Sequence, residues 1–128
     1  MARQGSSAPG TPPPAGPYTP AVRIGSIVAG SGQVGITADG LVLDGVAAQT
    51  RQAFTNLLAH LASAGASAAD VISVRVFLTD VEHFDAMNEV YREFFSDPYP
   101  ARSTIYVGLP AGLLVEIDAM AVLSNDGS

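Results

Sequence analysis

The chain has 128 residues, room for one domain of ordinary size. Hydrophobic residues make up 48% and cysteine is absent, which excludes a disordered chain beyond the first twenty positions, disulfide scaffolds, thiolate metal centres and cysteine nucleophiles. Its basic side chains are all arginine, and twelve acids bring the net charge to −6, which removes Schiff-base and P-loop lysines and opposes a nucleic-acid or anionic-membrane surface.

Six of the nine prolines (Pro9, Pro12, Pro13, Pro14, Pro17, Pro20) fall within residues 1–20. Proline withholds an amide donor and favours extended geometry, so residues 1–15 are expected to be a flexible tail that buries little surface. A single domain is expected over 16–124, with residues 125–128 an unstructured end. The first twenty residues have no apolar signal segment, and no run approaches the roughly 18–20 apolar residues of a membrane span. A cytoplasmic protein is the expectation.

Val22–Ile24 and Ile27–Ala29 read as short strands joined by a turn at Gly25-Ser26. A glycine-studded stretch, Gly30-Ser31-Gly32-Gln33-Val34-Gly35, leads to a second turn at Ala38-Asp39-Gly40. Asp44 is a suitable N-cap for a first helix, and Gly65 a suitable left-handed terminator. Val46, Ala53, Phe54, Leu57, Leu58, Leu61 and Ala64 give that helix a buried face, leaving Gln49, Gln52, Asn56, His60 and Ser63 on the opposite, solvated one. Val71–Leu78 is a strand, Asp80 caps a second helix with Phe84, Met87, Tyr91, Phe94 and Phe95 as its buried stripe, and Pro98 and Pro100 stop it. Arg102–Val107 and Leu113–Leu123 are the last strands, linked by Gly108-Leu109-Pro110-Ala111-Gly112.

This order, ββ-α-β-α-ββ, predicts an α+β sandwich with a mixed sheet and two helices on one face. Val71–Leu78 and Leu114–Leu123 are apolar on both faces, and two helices cover only one. The missing layer is expected from further copies of the chain. If Gly108–Gly112 is a hairpin loop centred on Leu109, Arg102 and Glu116 face each other on one side of the sheet. A guanidinium fork matches a carboxylate in bidentate fashion, and one carboxylate suffices to aim and deprotonate a water. The bland reading of that pair is a cross-strand salt bridge. Glu116 argues against it, because a structural carboxylate inside an apolar run is costly. Asp118 shares its parity and reads as a partner or rim residue. Arg75, within an apolar strand, requires an acidic or carbonyl partner, in the same subunit or across an interface. His60 and His83 read as solvated.

Four segments carry a resemblance: Gly16-Pro17-Tyr18-Thr19-Pro20-Ala21; Ser31-Gly32-Gln33; Met87-Asn88-Glu89-Val90-Tyr91; and Pro100-Ala101-Arg102-Ser103-Thr104 running through Leu109-Pro110 to Val115-Glu116-Ile117-Asp118. In that order, over residues 15–123, they resemble the reactive intermediate deaminase family (RidA, also called YjgF). The resemblance implies a chorismate-mutase-like fold assembled as a homotrimer. It also implies cofactor-free, metal-free hydrolysis of enamine and imine intermediates, such as 2-aminoacrylate released by pyridoxal-phosphate enzymes, to 2-keto acids and ammonia. Arg102 would hold the substrate carboxylate and Glu116 would orient the water. Tyr18, Ser31 and Asn88 would line the pocket, with backbone at Gly32 and Thr104 positioning the ligand. Many relatives have cysteine where Thr104 stands, so a thiol role is not carried over. A non-catalytic carboxylate-binding protein is the alternative; RNA cleavage or translation inhibition fits the acidic, lysine-free composition less well.

Overall fold

The computed structural model describes residues 2–124. Six strands form one sheet: β1 (Gln4–Ser6), β2 (Ala21–Ile24), β3 (Ile27–Val34), β4 (Val71–Leu78), β5 (Ala101–Tyr106) and β6 (Val115–Val122). The order across the sheet is β1-β2-β3-β6-β4-β5, and every pair is antiparallel except β4 with β5. Helices α1 (Val46–Ser63) and α2 (Phe84–Phe94) are the two helices expected.

The period of two along β6 decides where the core lies. Val115, Ile117, Ala119 and Ala121 are buried, as are Val74, Val76 and Leu78 of β4, and these pack with Phe54, Leu57 and Leu61 of α1. Gly30 lets α1 approach, since a Cβ there would lie 2.7 Å from a Leu57 methyl. Phe54 meets the rings of Tyr91, Phe94 and Phe95, which ties α1 to α2. On the other face Ile27, Ile72, Ile105 and Met120 remain exposed, Ile27 and Ile72 by half. Both helices lie on one side, and the described residues leave the other side of the sheet uncovered.

The helix boundaries follow local chemistry with one change. Gly45, at φ 86°, precedes α1 and no side chain caps it, so Asp44 is not the cap. Gly65 follows at φ 96°, as its freedom from a Cβ allows. Asp80 accepts from the Glu82 amide at 2.8 Å, but it caps a short 3₁₀ turn (Val81–His83) that leads into α2.

Three expectations are corrected. β5 and β6 are not a hairpin. β5 follows β4 through α2 and so lies parallel beside it, the normal outcome of a helical crossover. The linker from β5 then steps across β4, and β6 enters between β4 and β3. Second, Gln49, Asn56 and His60 are buried, at 2%, 1% and 1% exposure. Gln49 donates to the carbonyls of Leu43 and Gly112 and accepts from the Leu114 amide, while Asn56 donates to the Ile36 carbonyl. These satisfied amides pin the loops flanking β3 and β6 to α1.

Third, the N-terminal segment docks rather than trailing free. Gln4–Ser6 pair with β2, Ser6 and Ser63 share a hydroxyl hydrogen bond, and the Ala8 amide donates to Nδ1 of His60 at 3.1 Å. Proline's lack of a donor does not bear on residues 4–8, whose own amides are available. Residues 125–128 lie outside the described residues.

Two measurements follow. Deleting residues 2–14 uncovers His60 and an edge of β2, so the thermal midpoint should fall; an unchanged midpoint would show that docking contributes nothing. Burial holds the His60 pKa below its ordinary value near 6.5. The unfolded chain therefore binds the proton more readily. The His60 contribution is complete above about pH 6.5 and is lost as pH falls toward the lower folded value. Melting curves between pH 7 and 5 should show a steeper loss for the native chain than for His60→Gln, whose carbonyl still accepts from Ala8.

Candidate active site

Arg102 and Glu116 lie on opposite faces of the sheet. Arg102 is in register with Val74, on the helix side, and reaches toward α2. Its guanidinium stands 4.7 Å from the Tyr91 ring centroid and 5.7 Å from that of Phe84, with the Met87 sulfur 3.9 Å away. No carboxylate pairs with it among the described residues. Asn88, Tyr91, Arg92, Tyr99 and Pro100 join Arg102 around a cleft of about 270 Å³ between α2 and β5. Tyr91 is 4% exposed, its hydroxyl has no hydrogen-bond partner, and burial raises its pKa against the pull of Arg102. Thr104 stands two residues along on the same face as Arg102, opposite Val76.

Glu116 projects from the uncovered face, opposite Phe77 of β4 and Val34 of β3. The register of β3 shifts between Gly30 and Gln33, and Gly32 sits in that irregularity. A Cβ at Gly32 would lie 2.7 Å from a Glu116 carboxylate oxygen, so only glycine leaves the notch the carboxylate uses. Burial raises the Glu116 pKa first, and repulsion from Asp118 adds to it, while Arg75 pulls the other way. Arg75 finds its partner within the subunit. Its guanidinium grips Asp118 through two hydrogen bonds of 3.0 and 2.6 Å, across neighbouring strands. That fork leaves Glu116 as the unpaired carboxylate of the face.

Tyr18 and Gly32 line a second cleft with Pro20, Gln33, Val34 and the segment Pro12–Ala15. Ser31 donates to the Thr19 carbonyl at 2.6 Å, which spends its proton and leaves its oxygen as an acceptor. The Tyr18 hydroxyl accepts from the Ala15 amide at 3.0 Å, leaving its own proton to donate. Of the seven residues singled out in sequence, Arg102, Asn88 and Thr104 thus belong to the helix side, and Tyr18, Ser31, Gly32 and Glu116 cluster around the bulge of β3. Tyr91 and Tyr99, which wall the arginine cleft, were not singled out. Tyr91 carried the signal of a buried helical stripe and closed one of the resembling segments, but no site role was drawn from it.

This architecture is that of RidA-type subunits. It superposes on the crystal structure of RidA from the Antarctic bacterium Psychrobacter sp. PAMC 21119 with a TM-score of 0.89 and 37% identity, over 94% of this chain and 99% of that one. Escherichia coli TdcF with bound serine gives the same TM-score, identity and coverage. The chain belongs to the Endoribonuclease L-PSP family, also called YjgF/RidA, whose model matches residues 9–123. Among its relatives, the 2-iminobutanoate/2-iminopropanoate deaminase of Dermatophagoides farinae is 40% identical, over 91% of this chain and 94% of its own. The human protein of that name is 36% identical, over 84% and 80%.

The notch makes a direct prediction. Gly32→Ala forces the carboxylate aside, and its nearest contacts are all atoms of the Glu116 side chain. The Glu116 carboxyl should titrate at a changed pH by NMR with little movement of the thermal midpoint. An unmoved titration would mean that Gly32 does not set the carboxylate's position.

Proposed function

We propose that the protein hydrolyses small 2-imino acids and their enamine tautomers, of the 2-aminoacrylate type, to 2-keto acids and ammonia without a cofactor. The observation that carries this reading is an unpaired guanidinium in one cleft and, on the other face, a carboxylate of raised pKa set against Gly32, which lines a second cleft. The relatives named as deaminases of 2-iminobutanoate and 2-iminopropanoate support it.

Arg102 grips the substrate carboxylate in a two-point fork, which fixes the imine carbon in position. Glu116 takes a proton from water as the oxygen attacks that carbon, and the C=N bond becomes a C–N single bond. The proton passes to nitrogen of the carbinolamine, which was formed from the iminium; Glu116 takes the hydroxyl proton as the C=O bond forms, and ammonia leaves with the electron pair of the C–N bond. The Ser31 oxygen is an acceptor for the iminium N–H, the Tyr18 hydroxyl and Asn88 amide are donors, and backbone at Gly32 and Thr104 completes the cradle.

Two groups on opposite faces of one sheet cannot reach the same small molecule. The site therefore requires Arg102 from one subunit and Glu116 from another, in the homotrimer that the uncovered apolar face also favours. RNA cleavage, which the family's description suggests, is the weaker reading for a chain of net charge −6 without lysine.

Light scattering should give about three times 13.1 kDa. Arg102→Ala should lose both binding and turnover, and Arg102→Lys should recover little. Glu116→Gln should keep keto-acid binding and lose about 10²–10⁴-fold in turnover. Turnover should fall with acid through a pKa above the ordinary glutamate value, as Glu116 takes up its proton, and Glu116→Gln should lack this limb. Co-folding Arg102→Ala with Glu116→Gln should restore about a quarter of native turnover, the share of interfaces that pair two intact residues. No restoration would refute a site shared between subunits. Normal turnover by Glu116→Gln would refute its role as base.

A further inference from the structure

We propose that the cleft between α2 and β5 selects imino acids carrying a second carboxylate, with Arg92 as the residue that reads the distal charge. The inference rests on the deaminase reading and names the substrate class within it.

The arginines of this chain divide sharply. Arg51 forms a two-point ion pair with Glu93, Arg75 does so with Asp118, and Arg23 donates to the carbonyls of Gly25 and Ala64. Arg3 precedes β1 at the far end of the sheet. The remaining two, Arg92 and Arg102, line the same cleft, and neither has an acidic partner among the described residues. No acid of the same subunit lines that cleft, in a chain with twice as many acids as bases. A cleft lined by two unpaired arginines is the electrostatic arrangement for a doubly charged anion.

Local geometry supports this. Asn88 and Arg92 are one helical turn apart on α2, so they present to the same side. Glu93, beside Arg92 in sequence, is engaged by Arg51, and Glu89, one turn back, forms no ion pair with Arg92. The nearby carboxylates thus leave Arg92 unneutralised. The buried Tyr91 hydroxyl is an unspent hydrogen-bonding group in the same cleft, which a ligand oxygen would satisfy. A monocarboxylate uses the Arg102 fork alone. A dicarboxylate also answers Arg92.

Calorimetry with two keto-acid products tests the assignment. 2-Oxoglutarate should bind the native protein about tenfold more tightly than 2-oxobutyrate, or about 1.4 kcal/mol. Arg92→Gln should bring that ratio close to one. Equal affinities in the native protein, or a preference that survives Arg92→Gln, would overturn the proposal. Arg102→Ala serves as the separate arm. If 2-oxobutyrate binding is lost there while 2-oxoglutarate has no advantage, only the role of Arg92 fails. If 2-oxobutyrate binding is indifferent to Arg102→Ala, the deaminase reading fails with it.

Discussion

The alternation of side chains along β6 is the constraint from which the rest follows. Ile117, Ala119 and Ala121 must face the helices to close the core, so Glu116 and Asp118 must face the other way. No rotation of side chains brings Glu116 to Arg102, because the hydrogen-bonded sheet lies between them. A slip of one residue in register would move the carboxylate to the correct face and bury it beneath α1, at the cost of the core. The fold thus keeps the two groups apart, and the proposed association is what would bring an Arg102 and a Glu116 together.

The same face shows how Glu116 is kept out of an ion pair. Arg75 would neutralise Glu116 if it were free to choose. Instead it is held by both oxygens of Asp118, its direct cross-strand neighbour, and its attraction to Glu116 is the smallest of the influences on that group. An unpaired, half-buried carboxylate is unfavourable to the subunit, since burial opposes its charge. That cost accords with the role proposed for Glu116 in chemistry rather than in stability.

Much of this was legible in the residues themselves. The β-branched run Val71–Leu78 matched β4 at both ends, Gly65 marked the end of α1, and doubly apolar strands exposed the uncovered face. The resemblance carried by Tyr18, Ser31, Asn88, Arg102 and Glu116 pointed to the correct family. Strand neighbours were not legible. Spacing around Leu109 fitted a hairpin as well as a crossover, and only competition for the two edges of β4 decides between them. The polar stripe of α1 was misread for a related reason: helical periodicity reports which residues share a face, not whether a loop or an N-terminal segment later covers it. Gln49, Asn56 and His60 have the composition of a wet surface and the hydrogen bonds of a core.

The position of β6 has a consequence for how the molecule is made. It is the last strand of the sheet to leave the ribosome, yet it lies in the middle, with β1, β2 and β3 on one side and β4 and β5 on the other. Until it emerges, the nascent chain holds two half-sheets that share no strand pairing, although α1 packs against both β3 and α2. Each half must wait with apolar edges unpaired, in the state where chaperones and misassembly compete for it. Closure is then a single late event in which one strand zips both halves together. A ribosome stalled before Val115 would leave a chain whose two half-sheets have no strand to pair them.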